Sequence, residues 1–152
     1  MRALIAFALL PFVACGTSLR TADGHTLMLD GVDVDPRAVD QAVRFYSSRI
    51  IWVNGMKPKD VADAVDRLHF IIVPDSFPDP NGVWDSISGY QDGRTIKVGW
   101  KDGVSNNALF HELHHRIDQV VYGRIDYTHS NEEWWGLLRI IKGEWNELSS
   151  VD

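Results

Sequence analysis

Cysteine is almost absent from the sequence: Cys15 is the single one in 152 residues. One cysteine cannot form an intrachain disulfide, so the disulfide bonds usual in small exported domains are excluded. The sequence also has no internal repeat, no low-complexity segment and no apolar run of the roughly 18 residues that a membrane-spanning helix needs. Lys and Arg (15) are fewer than Asp and Glu (21), giving a net charge of −6, and they form no cluster. This charge pattern argues against binding to nucleic acid.

The first 14 residues are predicted to be an export signal that does not belong to the fold. Arg2 supplies a positive charge, residues 3–10 form a short apolar run, and Phe12-Val-Ala-Cys15 follows. The last four residues resemble the lipobox of bacterial lipoproteins, although Phe12 stands where that pattern usually has an aliphatic residue. The resemblance implies cleavage before Cys15, lipidation of its thiol and attachment to a bacterial membrane on the periplasmic side. The alternative is an ordinary signal peptide with an incidental cysteine.

After a short tether at residues 15–18, the sequence predicts one domain, residues 19–152, that mixes helix and strand patterns. In chain order they are a hairpin (19–29), two helices (36–50 and 58–68), a buried strand (69–73), a second hairpin (86–100) and two further helices (105–123 and 130–148). Asp23-Gly24 is a typical hairpin turn, and His25 beside it is expected to be exposed to solvent. A capping box, Ser130 to Glu133, is expected to start the last helix. This order of elements predicts an α+β fold.

The most informative stretch lies in the predicted helix at residues 105–123, which contains His111-Glu112-x-x-His115. Residues four apart leave one face of a helix about 6 Å from each other, so both imidazoles can reach one Zn²⁺ at roughly 2.0–2.1 Å. Glu112 would then lie beside the metal, where a carboxylate can take a proton from bound water. The spacing predicts a catalytic zinc site in which His111 and His115 are ligands and Glu112 is the general base.

A catalytic zinc site needs a third protein ligand and one open position for water. His129 is the first candidate, because a helix end and a turn would let the chain fold back over the metal from His115. Zinc also accepts oxygen ligands, so carboxylates close to His129 in sequence are alternatives: Asp126, Glu132 and Glu133.

Several neighbouring residues are candidates for supporting roles. Asp118 could accept a hydrogen bond from a ligand imidazole, or it could form a surface ion pair. Asp126 has the same two uses if it is not a ligand. Tyr127 and Tyr122 are candidates for donating a hydrogen bond to the oxyanion of a reacting carbonyl. His114 faces away from the ligand side of the helix and is not expected to bind the metal.

These residues resemble a known group of enzymes. His111 to His115 resembles the signature of zincin metallopeptidases, and the sequence from His129 to Trp134 is similar to the third-ligand pattern of SprT-like metallopeptidases. Over residues 94–136 the resemblance implies zinc bound by His111, His115 and His129, with Glu112 catalytic. It also implies a zincin-like domain, in which a short antiparallel or mixed sheet packs on the active-site helix. Its rim strand, expected at residues 94–100, would hold an extended peptide by strand addition.

The sequence therefore predicts a zinc metallopeptidase that hydrolyses peptide bonds at the cell envelope, anchored to a membrane through Cys15. Its substrate would be a peptide or protein, including peptidoglycan cross-links, or a non-protein amide. SprT-like enzymes are generally intracellular and DNA-associated, which disagrees with the export signal and the acidic charge, so their biology is not carried over. The alternative is a non-catalytic lipoprotein that binds a partner, with zinc structural or absent. Glu112 argues against it, because a purely structural site has no use for a base.

Overall fold

The structure, a computed structural model, describes residues 16–100, 108–124 and 128–149, which form a small α+β domain of four helices and one five-stranded sheet. The predicted fold class is thereby confirmed. The predicted export signal, Cys15, Asp126 and Tyr127 all lie outside the described residues. None of the described helices is long and apolar enough to cross a bilayer.

The sheet is mixed. Across it the strands are ordered β1 (Thr17–Arg20), β2 (Thr26–Leu29), β3 (His69–Val73), β5 (Thr95–Gly99) and β4 (Gly89–Asp92). The outer pairs are antiparallel hairpins, whereas β3 is parallel to both of its neighbours, β2 and β5. The chain reaches the edge of the sheet at β4 and then turns back, so that β5 lies between β3 and β4.

The expectation that residues 94–100 form the rim strand is therefore wrong. Both edges of β5 are hydrogen-bonded to other strands, and Ile96 and Val98 on it are fully buried. The rim beside the predicted active-site helix is β4 instead. The alternating pattern of β5 predicted a strand correctly, but a strand's position in a sheet depends on partners that are distant in sequence.

Four helices complete the domain: α1 (Pro36–Asn54), α2 (Pro58–Val65), α3 (Ala108–Tyr122) and α4 (Glu132–Ser149). The first starts as predicted, because the Asp35 carboxylate accepts a hydrogen bond from the Arg37 backbone nitrogen (2.9 Å) and Pro36 occupies the first turn. Apolar side chains of the sheet and all four helices meet in one core, which includes Leu27, Tyr46, Ile50, Phe70, Ile72, Ile96, Phe110, Leu113, Ile117 and Ile141.

Three sequence-based details differ from the structure. The last helix begins one residue later than expected, since the Asn131 side chain accepts the hydrogen bond from the Trp134 backbone nitrogen (3.1 Å). At the other end of the same helix Leu148, which the helical spacing places on the buried face, is exposed. His25, expected in solvent, is buried because its ring accepts the Leu68 backbone N–H (3.1 Å) and lies edge-on to Phe70.

Candidate metal centre

The helix α3 has two distinct faces. Leu109, Leu113 and Ile117 point into the core and are buried, with at most 2% of their surface exposed. His111 and His115 lie on the opposite side and are half-buried at the floor of an open cleft. The apolar positions fix the rotation of the helix, and the spacing of four residues then presents both imidazoles to the same space, as predicted.

His129 completes a group of three histidines. Its Nε2 lies 3.2 Å from Nε2 of His115, which in turn lies 3.2 Å from Nε2 of His111. All three ligand atoms fall within 4.8 Å of one another. In a tetrahedral site with metal–nitrogen bonds of roughly 2.0–2.1 Å, ligand nitrogens are about 3.3 Å apart. The arrangement therefore has the dimensions of a site that can hold one metal ion.

Hydrogen bonding alone does not account for this convergence. A ring nitrogen of neutral histidine has either one N–H or one lone pair, so it can make one good hydrogen bond. Nε2 of His115, however, faces Nε2 of both His111 and His129. A cation between the three rings would engage all three lone pairs at once. Burial together with repulsion from His115 and His129 lowers the pKa of His111 to about 3, so its ring is neutral at pH 7 and keeps a lone pair for a metal.

The backbone of His129 is in the left-handed region, with a φ of 56°. Few residues other than glycine adopt this conformation, although histidine does so more often than most. The conformation turns the chain back toward α3 just before α4 begins. Such backbone strain is commonly found where a side chain must be held for function.

Trp135 lies behind all three histidines. Its ring centroid is 5.1 Å from that of His111, 4.8 Å from that of His115 and 4.2 Å from that of His129. The indole is 6% exposed, so it seals the centre from the core side and restricts the orientation of each imidazole. The sequence did not point to Trp135, because helical periodicity alone does not show which of two adjacent tryptophans, Trp134 or Trp135, faces the histidines.

His114, which was not expected to bind metal, anchors α3 instead. Its Nε2 donates a hydrogen bond to the Trp134 carbonyl oxygen (2.9 Å), and its Nδ1 accepts one from the Tyr46 hydroxyl. Burial lowers the pKa of His114 to about 3, which keeps the ring neutral and this pattern of one donor and one acceptor intact. The fully buried His114 thereby connects α3 to α1 and α4.

The Glu112 carboxylate lies against Gly89 of the rim strand. A Cβ atom on Gly89 would overlap the carboxyl group of Glu112. The strand is also joined to α3 through Gln91, whose Nε2 donates to the Gln119 side-chain oxygen (3.0 Å). Burial raises the pKa of Glu112 to about 8, an effect that the charge of Lys142 opposes. A carboxylate with such a pKa is a stronger base than one in water.

Other candidates are not brought into the cluster. Glu132 and Glu133 are exposed and do not join the three histidines. Asp118 forms an ion pair with Arg124 (Nε to Oδ1 2.7 Å), the second of the two roles considered from the sequence. The Asp118 carboxylate is buried, however, whereas the sequence analysis expected a pair on the surface. The Tyr122 hydroxyl accepts a hydrogen bond from Asn54 of α1 (2.9 Å), outside the cleft.

The three histidines open onto a cleft of about 720 Å³. Tyr90 on the rim strand lines one wall. The sequence analysis considered Tyr122 and Tyr127 as hydrogen-bond donors to a substrate and did not consider Tyr90. The loop that carries Trp84 forms the lip and leaves this side chain 68% exposed. Asp79 orders this loop, because its carboxylate accepts hydrogen bonds from the backbone nitrogens of Asn81 (2.8 Å), Val83 (3.0 Å) and Trp84 (3.1 Å). The centre is therefore accessible to a ligand the size of a short peptide.

No family model, curated protein or solved structure matches the chain. Function has to be inferred from the chemistry of the site. Three imidazoles, a buried carboxylate of raised pKa and an open cleft can together bind a metal ion and move a proton beside it.

Proposed function

We propose that the protein is a zinc-dependent hydrolase of peptide or related amide bonds. The observation that carries the proposal is the convergence of His111, His115 and His129 beside the buried Glu112, at the floor of an open cleft. In the described part of the chain the cluster contains three ligand side chains and no fourth. Structural zinc sites usually have four protein ligands, whereas three ligands leave a position for chemistry. This difference favours an enzyme over the alternative of a structural metal.

Zinc is the metal that suits this set of ligands best. Three imidazoles and no carboxylate disfavour magnesium and calcium, which prefer oxygen. Nitrogen separations of 3.2 Å agree with a tetrahedral ion, and three histidines with one open position are a known arrangement for catalytic zinc. When bound, zinc polarises a carbonyl group and makes water more acidic.

The residues of the chain would supply the remaining chemistry. Glu112 would accept a proton from the attacking water on a carboxylate oxygen and deliver it to the leaving nitrogen of the amide. Its pKa of about 8 lies close to neutral pH, where such a group can both accept and release a proton. The outer edge of β4, next to Glu112, offers backbone groups along which an extended substrate can align.

Export and lipid attachment at Cys15 belong to the same proposal and are supported by the sequence alone. A protein anchored in this way would act on substrates outside the cytoplasm. Peptides, envelope proteins and the peptide cross-links of the cell wall all contain amide bonds that such a site could hydrolyse.

The proposal can be tested with the wild-type protein and the Glu112→Gln variant. We expect about one zinc per chain in both proteins, measured by elemental mass spectrometry after loading and desalting. Cleavage of a mixed peptide library, followed by mass spectrometry, should occur with wild type and fall by roughly 10²–10⁴-fold in the variant, the usual contribution of a general base. Absence of zinc from loaded wild type would reject the metal site, and equal cleavage by both proteins would reject the role of Glu112.

A further inference from the structure

A lysine lies beside the metal centre without a described partner for its charge. Lys142, on α4, is half-buried and lines a second part of the cleft, of about 390 Å³, together with Ser88 and Ala108. Gly89, His111 and Glu112 line both this part and the larger part, so the two cavities adjoin at Glu112 and are together called the groove. The lysine therefore belongs to the surface that a bound substrate would contact.

The charge of Lys142 differs from the other half-buried cations that the structure describes. Arg49 is paired with Glu144, Arg116 donates to the Ala64 carbonyl oxygen (3.0 Å), and Lys97 lies over the Phe77 ring. Among residues 16–100, 108–124 and 128–149, no carboxylate forms an ion pair with Lys142. Burial lowers the pKa of Lys142, and the charge of Glu112 opposes this effect. A half-buried ammonium group without a full counter-ion is unfavourable for the free protein and favours an arriving anion.

The other charged side chains among the described residues that line the groove are acidic: Glu112 and Asp79. The charge of Glu112 acts on Lys142, but the two form no ion pair. Asp79 lines only the larger part, and its carboxylate already accepts hydrogen bonds from three backbone N–H groups. In the described part of the chain, the groove therefore combines the candidate metal site with one lysine that has no ion-pair partner.

The spacing along α4 sets the scale of the ligand. Trp135, which packs on His111, and Lys142 are seven residues apart in the helix, which corresponds to about 10 Å along its axis. About three residues of an extended peptide cover that distance. A substrate group that reaches Lys142 would thus lie within about three residues of the bond over the metal.

We propose that Lys142 binds a carboxylate of the substrate, so that the preferred substrates are short peptides or amides with a free carboxylate within about three residues of the bond that is cleaved. This inference rests on the proposed function of the three-histidine site. The lysine would act by charge-assisted hydrogen bonding and would determine specificity, while Glu112 carries out the proton transfer.

Binding of two matched probes to the zinc-loaded protein tests the inference without measuring catalysis. Both probes are peptide hydroxamates, made with about one, two and three residues beyond the metal-binding group; one ends in a carboxylate and the other in the corresponding carboxamide. By calorimetry we expect the carboxylate form to bind roughly tenfold more tightly, the scale of one hydrogen bond to a charged group. Equal affinities for both forms at every length would overturn the inference. Binding of neither form to zinc-loaded protein would instead contradict the proposed function.

Variants of α4 identify the residue responsible. In Lys142→Gln the preference for the carboxylate probe should disappear while the affinity for the carboxamide probe stays unchanged. Lys142→Arg should retain the preference because it keeps the charge. Arg139→Gln is the matched control, since it removes the same charge from an exposed position of the same helix that lines neither part of the groove. If the preference for the carboxylate probe survives in Lys142→Gln, another group of the protein binds the carboxylate and the inference is overturned.

Discussion

Among the residues that the structure describes, two groups of side chains place metal-binding atoms within 4.8 Å of one another: His111, His115 and His129 in the cleft, and Asp23, His25 and Asp40 near the first hairpin. They differ in what else those atoms contact. In the cleft the Nε2 atoms of the three histidines face one another. In the hairpin group each residue forms a hydrogen bond or an ion pair with another part of the chain, so proximity alone does not make the group a metal site.

The three residues of the hairpin group are held by hydrogen bonds and an ion pair. His25 Nδ1 accepts the Leu68 backbone N–H (3.1 Å), so the proton of a neutral ring must be on Nε2, which then has no lone pair for a metal. Asp23 forms an ion pair with Arg44. Asp40 accepts the backbone N–H of Asp23 (3.2 Å). The group joins the hairpin to α1 and is best understood as structural.

The largest expected difference between the groups is in metal affinity. His115→Ala removes the nitrogen that faces both other histidines, so zinc affinity should fall by more than about 100-fold, beyond the usual effect of losing a residue that only supports a ligand. His25→Ala should leave zinc affinity unchanged. Competition with a chromophoric chelator measures both. Equal loss in the two variants would contradict the distinction between the groups.

A smaller effect is expected from the glycine beside Glu112. Gly89→Ala introduces a Cβ that overlaps the Glu112 carboxylate. The resulting shift should reduce hydrolysis by about 100-fold, the scale of a displacement near 1 Å, and leave zinc content intact. Gly143→Ala is the control, because nothing lies within 4 Å of its added Cβ. If Gly89→Ala retained full activity on the same substrate, the close contact would have no role in placing the base.

The hairpin group should affect stability rather than chemistry. His25→Ala leaves the buried Leu68 N–H without its acceptor, so the free energy of unfolding should fall by about 2 kcal/mol. Urea denaturation of the zinc-free protein measures this change. An unchanged midpoint would show that water or a rearranged side chain replaces the ring.

The smallest effect concerns pH. Burial lowers the pKa of His25 in the folded protein, against the opposing charges of Asp40, Asp23 and Asp66. In the unfolded chain the pKa of His25 is about 6.5, so below that pH the unfolded chain binds more protons than the folded protein. The contribution of His25 to the free energy of unfolding is therefore complete above pH about 6.5 and is lost as the pH falls. The zinc-free His25→Ala variant should lose less stability between pH 7.5 and 5 than wild type. Parallel losses would contradict this contribution of His25.

Much of the local structure could be predicted from the sequence. Proline and aspartate at the start of α1, the alternating pattern of β5 and the Asp23-Gly24 turn depend on neighbours within a few residues. The prediction for His25 was wrong because its partners, Leu68 and Phe70, lie more than forty residues away. The rim strand was misplaced for a similar reason, since strand order depends on distant pairing.

The sequence by itself determined the pair formed by His111 and His115, with Glu112 beside it, because the period of a helix fixes residues four apart on one face. Only the tertiary structure brought His129 to that pair, set Trp135 behind it and pressed Glu112 against Gly89. These contacts join segments whose separation depends on how helices and sheet pack, which no local pattern encodes. The fold thus turned a local motif into a group of three histidines that could hold a metal ion, beside a carboxylate of raised pKa.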